Sequence, residues 1–253
     1  LFEEEHPDIV INFAAIVHRP KIRSFDVYEK YNFHLTVING NKAKKAGVSH
    51  FLQMSTIAVY GNQEYISPNT PEYPDTFYGK SKLNADLELL KLRDDQFNIT
   101  IIRPPMVYGG GLAPGNMLRL IKLVNKKIPL PFKGIKNQRD FININNLTQC
   151  LHIIIGENLT GIILVKDNQP VSTEYLIKTI SRRLKKRERL FKLNNLFLII
   201  INFFATNIYV KLFGSLRIES NFKYEKLIKK HTIEQGISEM VESFLEGSKT
   251  SNI

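Results

Sequence analysis

The sequence predicts an α/β fold in which a parallel sheet carries helices on both faces. Short apolar runs of strand length alternate with longer segments whose apolar residues recur at helical spacing. This strand-helix order supplies the crossovers that parallel strands need. Each apolar run also stops at small, hydroxylic or prolyl residues, namely Ala14-Ala15, Ser55-Thr56 and Pro104-Pro105. In open α/β sheets ligands gather beyond the carboxyl ends of the strands, so these stops mark where a site would lie.

Taken in order, residues 9–13 read as a buried strand running into Ala14 and Ala15. Residues 27–46 read as helical, with Asn32 and Thr36 at one helical spacing and Gly47 placed to cap the carboxyl end. His50–Met54 is the next strand. Residues 62–76 are polar, carry three prolines and read as a loop. A helix containing Tyr78 then runs to about Arg93, and residues 99–103 form a strand that ends at the double proline. Beyond Gly109 the alternation loosens. Gly109-Gly110-Gly111 leads into Leu-Ala-Pro114-Gly115, which is loop chemistry. Asn116 stands near the amino end of another helix, and residues 127–132 form an extended segment. The chain thus divides into an α/β domain over residues 1–108 and a second, smaller region over 109–253.

Composition excludes some classes of function. A single cysteine, Cys150, rules out a disulfide framework within the chain and a Cys-rich zinc site. It reads as a small buried hydrophobe in a protein of a reducing, cytoplasmic compartment. The histidines show no metal-ligand spacing, so no metal is expected. The formal net charge of +11 is compatible with nucleic acid, an anionic membrane surface or an anionic substrate such as a diphosphate. The densest basic run, Arg182-Arg-Leu-Lys-Lys-Arg-Glu-Arg189, has no interleaved aromatics and follows a helical pattern, so it reads as a solvated helix end and no nucleic-acid partner is expected. Residues 193–213 contain a continuous apolar core too short for a span of about 20 residues. Asn194, Asn195, Asn202, Asn207 and Lys211 interrupt the longer window. A buried helix is the expectation, with peripheral attachment to a membrane as the alternative. Residues 247–253 read as a frayed tail.

The chemistry centres on Tyr78-Gly-Lys-Ser-Lys82 and on Ser55-Thr56 before it. On a helix, residues four apart lie on one face with about 5–6 Å between Cβ atoms. Tyr78 and Lys82 therefore bring an ammonium to a phenol. A fixed positive charge favours the phenolate, which moves the tyrosine from its usual value near 10 toward the range of a general base. A hydroxyl from Thr56 or Ser55 could hydrogen-bond the same substrate oxygen. The pair also occurs by chance on ordinary helices, and its company decides the reading.

At these residues, together with Asp8-Ile-Val-Ile-Asn-Phe-Ala-Ala15 and Ile101-Ile-Arg103-Pro-Pro-Met-Val-Tyr-Gly109, the chain resembles the extended short-chain dehydrogenase/reductase family. More narrowly, it resembles the NAD-dependent epimerase/dehydratase group that acts on nucleotide sugars. The resemblance runs from about Pro7 to Phe244 and implies a Rossmann-like fold, with NAD, or NADP, as cofactor and a UDP-sugar as substrate; it is compatible with a homodimer. It implies Thr56, Tyr78 and Lys82 as catalytic residues, and Ala14, Ala15, Asn32, Ser55, Tyr78, Lys82 and Pro104 as cofactor contacts. Asn116 and Arg139 are implied at the nucleotide diphosphate, with Leu130 and Phe132 packed on the base. Arginine forks suit phosphate oxygens, and a helix amino end favours an anion. Read without the family, Arg139 is an ion-pair partner for neighbouring Asp140.

The resemblance also narrows the reaction. The sugar 4,6-dehydratases of the family carry an acidic pair after the catalytic Thr, where Ile57 and Ala58 stand here and can neither give nor accept a proton. Hydride transfer at C4 remains, in a 4-epimerase or a 4-keto reductase supplying surface polysaccharide. The segments Gly115-Asn-Met-Leu-Arg-Leu, Ile128-Pro-Leu-Pro-Phe and Gly214-Ser-Leu-Arg-Ile carry this closer likeness. Met106 departs from the asparagine of galactose-type epimerases. One departure is larger: the chain begins at Leu1, its first glycine is Gly40, and the family's glycine turn for the cofactor pyrophosphate is missing. Either about sixty residues lie upstream, or the product has lost them and is an inactive cofactor-binding regulator or scaffold with the same fold.

Overall fold

The computed structural model describes residues 2–17, 24–111 and 115–250. They form two compact units. The first comprises residues 1–105, 151–165 and 219–224, and the second residues 106–150, 166–218 and 225–253.

The first unit is built on four parallel strands, Ile9–Asn12, His50–Met54, Asn98–Arg103 and Gly161–Leu164, lying side by side in that order. The register pairs Ile9 with His50, Phe51 with Ile99 and Ile101 with Ile162. The three expected strands are present, each within a residue of its expected ends, because runs such as Ile99-Thr-Ile-Ile have no exposed side to satisfy; the edge strand Gly161–Leu164 was not expected. Flanking helices make the sheet a Rossmann-like α/β layer. Helix Leu35–Lys45 and helix Phe77–Lys91 cover it through Ala43 and Leu89, which pack with Phe51, Phe97, Ile99 and Ile101 in one buried cluster.

The helical stretch expected over 27–46 begins at Phe25 and continues to Lys45, with a wider π-type turn over Glu29–His34 in its middle. It closes as expected. Ala46 and Gly47 donate to the carbonyls of the last turn, and Gly47 takes φ +76°, a left-handed conformation that costs glycine little. Thr76 caps the Tyr78 helix by accepting from the Gly79 N–H at 3.0 Å. That cap fixes where the helix starts.

The second unit holds the paired parallel strands Met106–Tyr108 and Phe141–Asn143, helix Asn116–Asn125, helix Thr173–Arg183 and the long helix Ile233–Thr250. Their apolar faces meet in a core that includes Tyr108, Met117, Ile121, Phe141, Leu176, Ile180, Ile237 and Met240. Gly109, Gly110 and Gly111 all have positive φ, as the loop reading requires. Cys150 is buried, and its burial pushes the thiol up to about 12, so it is an inert packing residue.

Two expectations need correction. Residues 193–213 do not form one buried helix. They form helix Asn195–Phe204 and helix Thr206–Phe213, and the first leaves Ile199, Phe203 and Phe204 between 65% and 80% exposed. The first helix is apolar on nearly every side, so only one stripe can face the core, and Leu198 occupies it. The tail, for its part, stays helical through Gly247 to Thr250. Residues 251–253 lie outside the described residues. No described helix is long and apolar enough to cross a membrane.

Candidate active site

Three strand ends of the first unit converge on one edge. Ala14 and Ala15 follow strand Ile9–Asn12 and are exposed there, with the Ala14 N–H donated to Asn12 Oδ1 at 3.2 Å. Ser55 and Thr56 follow His50–Met54. Pro104 follows Asn98–Arg103, is buried, and accepts the Ile57 N–H at 3.2 Å. Thr56 is itself held by local structure. It stands at the amino end of a 3-10 turn, Ile57–Tyr60, and its hydroxyl oxygen accepts from the Ala58 N–H at 3.2 Å.

The Thr56 side chain also lies beside the Tyr78 phenol and pulls it toward the anion. Tyr78 sits in the first turn of its helix, and Lys82 lies one turn on, with its ammonium donated to the Met54 carbonyl at 2.7 Å. Thr56, Tyr78 and Lys82 are thus brought together. Ser55 is beside them but turned away, for its hydroxyl donates to Asp86 Oδ2 at 2.7 Å and is buried. The hydroxyl offered to the edge is therefore that of Thr56.

The electrostatics differ from the simple reading of the Tyr-Lys spacing. Burial holds the Tyr78 phenol above its ordinary value, with Thr56 pulling down and Asp86 pushing up. Burial also pushes Lys82 down to about 8, against the opposing pull of Asp86. The lysine charge is poised near neutrality and is tied to a backbone carbonyl. Its proximity alone does not lower the phenol.

Beneath these groups lies a polar cluster that sequence reasoning missed. Asp86 stands one helical turn beyond Lys82, fully buried, and its Oδ2 accepts from Arg103 Nε at 3.1 Å as well as from Ser55. Arg103 Nη1 donates to Tyr60 Oη at 2.8 Å and to Glu72 Oε1 at 2.9 Å. One signal was available: Tyr78, Lys82 and Asp86 follow each other at four-residue steps on one helix face.

Asn32 acts as a strut. Its carboxamide accepts the Ile16 N–H at 2.7 Å, and its NH2 donates to the Ile16 carbonyl and to Ser81 Oγ, so it ties the loop after the first strand to the Tyr78 helix. Asn12 likewise donates to Gln53 and Thr36.

The second unit contains a separate cavity of about 610 Å³ whose walls include Met106, Asn116, Leu130, Phe132 and Arg139, with Arg119 and Lys211 adding charge. All four residues expected at the substrate line it. Asn116 opens helix Asn116–Asn125, and Phe132 rests against Phe213 with ring centroids 5.3 Å apart. Arg139 does not pair with Asp140. It donates through Nη1 to the carbonyls of Gly214 at 2.9 Å and Val210 at 3.3 Å, while Asp140 pairs with Lys166 and Arg217. No cluster of metal ligands occurs among the described residues.

Residues 1–164 match the family model of the NAD dependent epimerase/dehydratase family. Among curated proteins, the UDP-glucose 4-epimerase of Vibrio cholerae is 29% identical over 264 residues, covering 95% of this chain and 77% of that protein. The dTDP-D-glucose 4,6-dehydratase of Mus musculus is 28% identical over 196 residues, covering 74% of this chain and 54% of that enzyme, so the chain spans about half of the dehydratase. Among solved structures, the Bordetella bronchiseptica enzyme WbmG in complex with NAD and UDP superposes with a TM-score of 0.76 at 19% identity, over 97% of this chain and 74% of that one. The UDP-glucuronic acid 4-epimerase from Bacillus cereus in complex with NAD gives 0.74 at 18% identity, over 94% and 74% of the two chains. These structural likenesses establish the fold. The matched segment 1–164 contains all three strand ends together with Thr56, Tyr78, Lys82 and Asp86, and by that match this chain belongs to the NAD dependent epimerase/dehydratase family.

Proposed function

We propose that the protein is an NAD-dependent enzyme of nucleotide-sugar metabolism that acts by hydride transfer at C4 of a UDP-hexose. The observation that carries this reading is the placement of the Tyr78 phenol beside Thr56 and one helical turn from buried Lys82, whose ammonium is held on the Met54 carbonyl at 2.7 Å, at the carboxyl ends of three parallel strands. A phenol that takes a proton needs a polar partner and a cation that favours its anion; Thr56 is the partner, and Lys82, charged below about 8, serves the developing phenolate although it does not lower the resting phenol. Tyr78 accepts the proton of the C4 hydroxyl, and Thr56 orients that oxygen by its second hydrogen bond. Lys82 holds positive charge near the developing phenolate. Asp86, acting through Lys82, sustains that charge and is a positioning residue.

The residues at this edge fit the nicotinamide end of a dinucleotide. Exposed Ala14 and Ala15 leave room against the sheet, and buried Pro104 closes the floor. Ala14, Ala15 and Pro104 would hold NAD or NADP there, and the group would supply the hydride acceptor and donor for C4. Asn32 contributes by fixing the loop that carries the two alanines. The cavity of the second unit suits a nucleotide diphosphate, with Arg139, Arg119 and Lys211 as cations and Phe132 and Leu130 as an apolar wall for a base.

Two reactions share this chemistry. A 4-epimerase returns the hydride to the other face of the sugar, whereas a 4-keto reductase carries out only the return. The apolar Met106 in the cavity wall favours the reductase, where galactose-type epimerases have asparagine. Elimination of water is disfavoured because Ile57 and Ala58 hold the positions of the dehydratase acids. The role we assign is supply of nucleotide sugars for surface polysaccharide, in the cytoplasm. With the full-length protein, absorbance of reduced cofactor separates the reactions. A reductase consumes it with a UDP-4-keto-6-deoxyhexosamine, and clean conversion of UDP-glucose to UDP-galactose without net consumption identifies the epimerase. Turnover of neither substrate class would refute the proposal.

A further inference from the structure

The second unit presents a surface that the catalytic reading leaves unused. Helix Asn195–Phe204 turns Leu196, Phe197, Ile199, Phe203 and Phe204 outward, from 59% to 80% exposed, and Phe203 and Phe204 stack edge to face at 5.0 Å. A soluble protein rarely leaves so many large apolar side chains contiguous and uncovered. The helix is tethered from inside by Leu198, so the outward face is fixed rather than free to fold back into the core.

The chain that leads into this helix is one-sided in charge. Between Arg182 and Lys192 the sequence has seven lysines and arginines against one glutamate. Arg182, Arg183, Lys185, Arg187, Arg189 and Lys192 are exposed. This run is linked to a second basic element. Leu130 N–H donates to the Arg189 carbonyl at 2.8 Å, Phe191 N–H donates to the Leu130 carbonyl at 3.1 Å, and Arg189 Nη1 reaches the Lys127 carbonyl. Lys126, Lys127 and Ile128 therefore lie beside Arg189 and half-exposed Phe191, and along the chain the basic run ends at Lys192, three residues before the apolar helix begins.

We propose that this face binds the surface of an anionic lipid bilayer. The two halves fit the two parts of such a surface. The short apolar helix is too short to span but suits the boundary between headgroups and acyl chains, and the basic patch meets the negative headgroups. The charge decides between occupants: a second copy of this chain would bring the same positive patch against its own, whereas an anionic membrane complements it. The inference does not depend on the proposed reaction.

The test is flotation of the full-length protein with vesicles. Vesicles of equimolar phosphatidylcholine and phosphatidylglycerol should carry the protein up the gradient. Vesicles of phosphatidylcholine alone should carry at least about tenfold less, and salt near 1 M, where the screening length is about 3 Å, should release it. Phe203→Ser with Phe204→Ser should abolish flotation. Since that variant could be judged a folding failure, Arg187→Glu with Lys192→Glu, at exposed positions outside the helix, provides an independent arm and should lose flotation as well. Absence of wild-type flotation with the anionic vesicles overturns the proposal, as does flotation that neither variant reduces. A dimer in light scattering that both Phe substitutions dissociate, without vesicle binding, would assign the face to a second copy instead.

Discussion

Arg103 and Asp86 form an ion pair, Nε to Oδ2 at 3.1 Å, from which both side chains are wholly excluded from solvent. Removing one partner leaves the other charged and buried, which is far more costly than the pair itself is favourable. Asp86→Ala should lower the unfolding free energy by about 3 kcal/mol. Glu72 and Tyr60 also hold the guanidinium and keep the loss toward the lower end. Urea denaturation of the variant and wild type measures it, and a change within about 0.5 kcal/mol, the range of surface substitutions, would show that the pair is not buried.

The same carboxylate sets the pH dependence of Lys82. Burial pushes the ammonium down to about 8, and Asp86 opposes that shift. The positive charge is present below about 8 and lost as the pH rises through it, so turnover should fall on the alkaline side near that value. Asp86→Asn removes the opposing pull, lowers the lysine further and should move the alkaline limb to lower pH. A profile unchanged between wild type and Asp86→Asn would sever Asp86 from the site.

Gly79 tests the fit between the Tyr78 helix and the Thr56 turn. A Cβ there would stand 2.5 Å from the Ala58 carbonyl oxygen and 3.0 Å from Pro74 Cβ, and backbone cannot swing aside as a side chain can. Gly79→Ala should destabilise by about 1–3 kcal/mol and displace Tyr78 from Thr56. Thermal unfolding together with turnover checks both effects. An alanine variant with unchanged stability and turnover would mean that the two elements are not in contact.

His50 gives the fold an acid-sensitive point. Thr100 Oγ1 donates its proton to the Leu159 carbonyl, so His50 Nε2–H must be the donor in the 2.7 Å contact with Thr100. His50 Nδ1 is buried without a partner among the described residues. Burial lowers the imidazole below its ordinary value of 6.5. For a base held below its unfolded value, the folded chain binds fewer protons; stability is complete above 6.5 and is lost as the pH falls from there through the folded value. The denaturation midpoint should drop between about pH 8 and about pH 5, and His50→Gln should shrink that drop. An equal drop in both proteins would contradict the assignment.

The first three strands of the sheet were legible because each is a short apolar run between turn signals, and the Tyr78-Lys82 face because helical spacing is a local property; Met106–Tyr108, Phe141–Asn143 and Gly161–Leu164, only three or four residues each, were not. The ion pair of Asp86 and Arg103 was not. Its partners lie on a helix and a strand, and only the packed tertiary structure brings them together. The shift of Lys82 was missed for a related reason, since spacing records the neighbouring phenol but not the burial or the Met54 carbonyl. Helix Asn195–Phe204 misled differently. An apolar run is equally consistent with a core and with an exposed face, and only the size of the core that receives it decides.

The central claim is that Tyr78 is the proton acceptor at C4, and its most direct test is turnover by the full-length Tyr78→Phe variant with the UDP-sugar that the wild type converts. Phenylalanine keeps the ring and removes only the hydroxyl beside Thr56. Sugar-nucleotide binding, followed by calorimetry, should stay nearly intact, while turnover should fall by roughly 10²–10⁴-fold. Lys82→Met, measured alongside, should lower turnover and also weaken cofactor binding. Unchanged turnover by Tyr78→Phe would contradict the account.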